Sequence, residues 1–136
     1  MDKHKIKGGK SPEDLIQDAV IDFLKVRDWY IKVAHGNMFQ SGFPDLYCTH
    51  HKYGHRWVEI KQPYPNYSFT PAQMKDFPQF SANGTGIWIL CAATESEYDK
   101  LFQKPNWYSY FLMLNQRGAT HLTANNRSAN HLDKRI

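Results

Sequence analysis

At 136 residues the chain has room for one domain with a real core, but not for two. A hydrophobic share of 41% and an aromatic share of 15% suit a globular protein, and no apolar run is long enough for a membrane helix. The net charge of +4 is uneven: residues 1–10 and 117–136 each carry +3, around a body of −2. Basic tails of this kind suit non-specific attraction to a phosphate backbone, and equally suit solubilising termini. The expected division is a basic tail over 1–10, a domain over 11–116 and a polar basic tail over 117–136. The polar start has no signal-peptide stretch, and Cys48 and Cys91 both fall in expected strands. They read as reduced core residues of an intracellular, cytoplasmic protein.

Ser11 looks like an N-cap, with Pro12 at the first helical position and Asp14 three residues on. Leu15, Ile16, Ala19, Val20, Phe23, Leu24 and Val26 recur at helical spacing, so a first helix is expected over about residues 12–28. Glu13 and Gln17 lie in line with Val20 and Leu24, at the edge of that apolar stripe. Trp29 to Ala34 is a strand candidate, and His35 to Gly42 a loop. Asp45 to Thr49 and Arg56 to Gln62 are the next strands, joined by a turn over His50 to His55. His50, His51 and His55 read as solvated turn residues, not as a zinc site, and two cysteines are too few for structural zinc.

Pro63 to Ser68 is a loop whose Tyr64 and Tyr67, with Phe69 after it, either stack on splayed bases or pack on the core. Thr70-Pro71-Ala72-Gln73 opens a second helix through a capping-box pattern, and Pro78 should kink or stop it. Ile87 to Ala92 is a compact apolar run, typical of a buried strand. Thr94 and Glu97 start a third helix that should reach about Gln103. Trp107 to Leu114 is apolar enough to pack, as strand or helix; its Trp107, Tyr108, Tyr110 and Phe111 form a candidate dimer surface or a core edge. The fold class is mixed α/β, with helices covering a small sheet.

Asp45 and Glu59 are hard oxygen donors of the kind Mg²⁺ or Mn²⁺ prefers. A hairpin between them would set them on neighbouring strands, and strand alternation puts Trp57, Glu59 and Lys61 on one face. Lys61 adds an ammonium that can hold a phosphate or orient a water; two adjacent carboxylates favour electrostatic positioning over base catalysis. Taken singly, Glu59-Ile60-Lys61 is also an ordinary half-exposed strand, and Pro44-Asp45 ordinary turn chemistry.

Gly42-Phe43-Pro44-Asp45-Leu46, then Trp57-Val58-Glu59-Ile60-Lys61, then Thr70-Pro71-Ala72-Gln73 before Gly86-Ile87-Trp88-Ile89-Leu90 resemble the VRR-NUC family of the PD-(D/E)XK nuclease superfamily. The resemblance covers about residues 12–92, and the Val-Arg-Arg stretch that names the family has no counterpart here. It implies a restriction-endonuclease-like core of α-β-β-β-α-β order, with a mixed central sheet flanked by helices. It implies that Asp45, Glu59 and the backbone carbonyl of Ile60 bind Mg²⁺ or Mn²⁺, and that Glu13 reaches the metal directly or through water. Lys61 would orient the attacking water and steady the phosphate, with Gln73 near the site. Gln17, Lys3, Lys5, Lys7, Lys10, Tyr64 and Tyr67 are the candidate DNA contacts.

The expected activity is metal-dependent hydrolysis of DNA phosphodiester bonds, on branched DNA such as Holliday junctions. Two incisions per junction imply a homodimer, with no membrane partner and no organic cofactor. The alternatives are a nicking or flap nuclease, a nucleic-acid-binding protein that keeps the fold without chemistry, and an RNA-processing enzyme.

Overall fold

A computed structural model describes residues 9–34 and 42–116 of the chain. Helix α1 (Pro12–Lys25) is followed by strands β1 (Tyr30–Val33), β2 (Leu46–His50) and β3 (Gly54–Ile60). Helix α2 (Pro71–Ala82) then leads to β4 (Ile87–Leu90), α3 (Glu95–Asp99) with a 3₁₀ turn at Lys100–Phe102, and α4 (Trp107–Gln116). The α-β-β-β-α-β core is present, and the segment from Trp107 is helical.

Local chemistry accounts for the main boundaries. Ser11 caps α1 through a reciprocal box with Asp14, and Thr70 caps α2 in the same way with Gln73. Helix α1 ends at Lys25, earlier than expected, because the chain turns at Asp28, whose φ of 72° is left-handed. Pro78 does not stop α2: it lies buried inside the helix beside Phe77. It removes one backbone donor, while Asn83 still donates to the Gln79 and Phe80 carbonyls and holds the last turn.

The sheet runs β1-β2-β3-β4, antiparallel except for the parallel β3–β4 pair. The β2–β3 hairpin turns at Gly54, whose φ of +83° favours glycine, and pairs Leu46 with Val58. That register sets Asp45 opposite Glu59, one step beyond the ladder. His50 is not a solvated turn residue. It is buried, its Nε2 hydrogen-bonds the Arg27 carbonyl at 3.1 Å, and its Nδ1 accepts from the Lys52 amide at 3.0 Å. Among the described residues no three His, Cys, Asp or Glu come together as a metal cluster.

The sheet separates two cores. On one face α1 packs Val20 and Leu24 against Leu46, Cys48, Val58 and Ile60. On the other, α2 and α4 pack Phe77, Trp107 and Phe111 against Ile87 and Ile89. Trp107 and Phe111 are thus core residues, not a dimer surface, while Tyr108 and Tyr110 are half-buried against them. Cys48 is a free thiol pushed up to about 12 by burial. The outer edge of β4 is closed by Asn106, which accepts from the Ile89 amide and donates to the Ile89 carbonyl. A side chain there takes the place of a fifth strand and protects the edge. No described helix is long and apolar enough to cross a membrane.

Candidate active site

The hairpin register brings Asp45 and Glu59 into direct contact. The Asp45 amide donates to Glu59 Oε1 at 3.1 Å, and the Ile60 amide donates to Asp45 Oδ2 at 2.8 Å. Glu59 is 2% exposed, whereas Asp45 is only half-buried, so the pair opens to solvent on the Asp45 side. Burial pushes the Glu59 carboxyl up, Asp45 adds to that push, and Lys61 and Gln73 oppose it. Asp45 is also raised, first by burial, against the pull of the Ile60 amide and Lys61. Two neighbouring carboxylates, one of them buried, hold a proton more readily than either would alone.

Lys61 is buried too, at 4% exposure. The Lys61 amide bonds the Leu90 carbonyl at 3.1 Å and so extends the β3–β4 ladder past Ile60. Its ammonium lies 3.1 Å from Glu59 Oε2 and 3.0 Å from Gln73 Oε1, above the Phe69 ring at 4.6 Å. Gln73 does two jobs that the sequence left as alternatives. Its Oε1 accepts from the Thr70 amide at 3.1 Å as part of the cap, while its Nε2 donates to Glu59 Oε2 at 2.8 Å. Only one amide orientation satisfies an ammonium, an N–H and a carboxylate together, so the network fixes it.

Glu13 and Gln17 are half-buried on α1. Glu13 does not join Asp45 and Glu59 in a three-donor group; its charge acts on Cys91, just past β4. It is Asp14, tied into the helix cap, whose charge acts on Asp45. Tyr67 is unavailable for stacking on bases: it is 1% exposed, and its hydroxyl donates to the Tyr110 carbonyl at 2.9 Å. Tyr64 is exposed. Lys10 forms an exposed ion pair with Asp18, and Lys3, Lys5 and Lys7 lie outside the described residues.

Sequence reasoning gave no role to Phe43 and Trp57. Both stand two residues before an acid, and for Trp57 alternation along β3 carries that signal. It also missed a polar group beyond β4, where Glu97 accepts from the Cys91 amide at 2.7 Å and Lys100 donates to the Tyr110 hydroxyl at 3.2 Å.

Gly42 sets the approach to Asp45. A Cβ at Gly42 would lie 1.9 Å from Asp76 Oδ2 and 3.1 Å from Asp76 Cβ, so the α2 side chain would have to move. Gly42→Ala is expected to cost about 1–3 kcal/mol in a thermal melt, as overpacking does. An unchanged melting temperature would show that Asp76 swings away freely.

No protein-family model and no curated protein sequence matches the chain. A solved structure described as "VRR_NUC domain" is similar, at 16% identity and a TM-score of 0.51. The likeness covers 69% of this chain and 98% of that one. The chain has the fold of a VRR_NUC domain, a mixed sheet flanked by helices.

Proposed function

We propose that this chain is a divalent-metal-dependent nuclease of the VRR-NUC kind that hydrolyses DNA phosphodiester bonds. The observation that carries the reading is the charge imbalance of the site. Two adjacent carboxylates, one of them buried, face a single ammonium. Keeping two like charges side by side, one of them buried, is costly unless a proton or a metal cation completes the site. The donors are hard oxygens, which suits Mg²⁺ or Mn²⁺. Asp45 and Glu59 would hold the ion, with the Ile60 carbonyl as a further ligand and Glu13 reaching it through water.

When bound, the ion supplies Lewis acidity towards a phosphoryl oxygen and lowers the pKa of a water. The chain's own groups do the rest. Gln73 and Lys61 grip Glu59 Oε2, which fixes the carboxylate plane and leaves Oε1 turned to Asp45. Of the three N–H groups on the Lys61 ammonium, two face Gln73 and Glu59; the third can meet an anionic oxygen. Phe69 beneath the ammonium keeps water from that side and holds its direction. The site is therefore preorganised for positioning and charge stabilisation.

The preferred substrate in this reading is branched DNA, four-way junctions above all. One site per chain then calls for a two-fold dimer to make paired cuts. The test is incubation of the protein with a labelled four-way junction, a linear duplex and a supercoiled plasmid in Mg²⁺, Mn²⁺ or EDTA. The expected result is paired symmetric cuts in the junction, absent in EDTA and reduced at least about a hundredfold in Asp45→Ala. Nicking of plasmid with an untouched junction would keep the nuclease and remove the junction preference. No metal-dependent cleavage of any substrate would overturn the reading.

A further inference from the structure

Beside the acid pair the surface carries an open aromatic recess that the chemistry above does not use. It has a volume of about 180 Å³ and is lined by Phe43, Pro44, Trp57, Phe80 and Thr85. Phe43 stands 5.3 Å from Phe80 and 6.0 Å from Trp57, ring centre to ring centre, with both pairs tilted at 33–34°. The rings do not fill the space between them. Phe43 is 39% exposed, and Trp57 and Phe80 are half-buried. An open aromatic recess of this kind is suited to a planar apolar group stacking in it.

Its position says what that is. Phe43 precedes Asp45 by two residues, and Trp57 precedes Glu59 by two. Within β3, Trp57 and Glu59 stand two residues apart on one face, a span of roughly 6.5–7 Å, so the recess sits one such step from Glu59, with Phe43 laid against Trp57 from the bend before β2. That step is on the scale of the distance between a nucleotide's base and its phosphate. The recess continues past Trp57 and Thr85 into a second one, of about 220 Å³, lined by His55, Arg56, Trp88 and Pro105. Arg56 there donates to the Leu101, Tyr53 and His55 carbonyls, and among the described residues it has no carboxylate partner. From the acids the rings thus lead to the end of the sheet, where Arg56 reaches from the opposite face of β3 and lies over the Trp88 ring at 5.2 Å.

We infer that the Phe43–Trp57–Phe80 recess receives one unpaired nucleobase next to the phosphate that a metal ion at Asp45 and Glu59 would position. The inference rests on the nuclease reading for its phosphate, and it narrows the substrate class to strands with an unstacked base beside the scissile bond. A base inside a continuous duplex is stacked on its neighbours and cannot enter. Stacking of this kind tolerates any base, because every base has a π-face. Selectivity would then follow strand structure and not sequence.

The test separates binding from cleavage. Fluorescence anisotropy in EDTA compares a labelled duplex bearing a single unpaired thymidine with the same duplex carrying an abasic site at that position. Wild-type protein should bind the thymidine form about tenfold more tightly. Phe43→Ala should lose the difference, and Phe43→Trp should keep it. Thr85→Phe, which fills the recess without removing a ring, should also lose it, and serves should Phe43→Ala fail to fold. Base-dependent binding without cleavage in Mg²⁺ or Mn²⁺ would support the recess and overturn the nuclease reading. Cleavage with equal affinity for both duplexes would overturn the recess and leave the nuclease standing.

Discussion

Asp45→Asn is expected to abolish cleavage and, in EDTA at pH 8, to make the protein more stable. The asparagine keeps the shape of the site. Its carbonyl can accept from the Ile60 amide, as Asp45 Oδ2 does at 2.8 Å, and its amide can donate to the Glu59 carboxylate. What disappears is the like charge that pushes Glu59 up. A gain of about 1 kcal/mol is the usual scale for relieving a site shaped for function and not for stability. In a domain of this size that is about 4 °C in melting temperature. The same variant should lose the stabilisation that Mg²⁺ or Mn²⁺ gives wild type, since the ligand pair is broken.

The pH dependence follows with a definite sign. Glu59 ordinarily titrates at 4.5 and is pushed up to about 8 in the fold, by burial first and by Asp45 second. Between those values the folded state binds the extra proton, so metal-free stability falls as pH rises through the window. Metal competes with that proton, so apparent affinity for Mn²⁺ should rise across the same interval. Thermal melts at pH 5, 7 and 9, with and without Mn²⁺, check both. A flat metal-free profile, or an Asp45→Asn variant that melts lower than wild type, would show that the carboxylates are not in conflict.

The arrangement of the acids was legible because it depends on period and turn chemistry. A strand, a turn closing at glycine and a second strand leave little freedom in which residues face each other, and Asp45 opposite Glu59 follows from that register. Ser11 and Thr70 were legible as caps for the same reason, since each box is a local pattern of four residues. What could not be read depends on partners distant in sequence. Tyr67 looks like a free ring in a Pro/Asn loop until the Tyr110 carbonyl, 43 residues on, takes its hydroxyl. His50 looks like a turn residue until the Arg27 carbonyl meets its ring. Pro78 reads as a helix breaker, yet its neighbours Phe77 and Ser81 are buried with it, and packing outweighs one missing amide. The dual use of Gln73 was hidden because the cap alone explains its spacing, while its grip on Glu59 requires α2 to lie against β3.

Lys61→Met should have the opposite thermodynamic sign from Asp45→Asn and the same effect on cleavage. Methionine keeps much of the buried volume above Phe69 but removes the ammonium that meets Glu59 Oε2 and Gln73 Oε1. Leaving a buried carboxylate without its cation costs about 3–5 kcal/mol when the charge is retained. Glu59 can escape that cost by holding its proton, which the loss of Lys61 encourages, because Lys61 is the largest influence holding it down. The cost is therefore small at pH 5, where wild type and variant both hold the proton, and it grows towards its full value above pH 8. Denaturant melts of wild type and Lys61→Met at those two pH values should diverge by at least about 2 kcal/mol at the higher one. In the double variant with Asp45→Asn the penalty should shrink, because one fewer buried negative charge is left unmatched, and the two substitutions should not add. Strict additivity would mean that Lys61 answers to Glu59 alone, and that the two carboxylates are not one electrostatic unit.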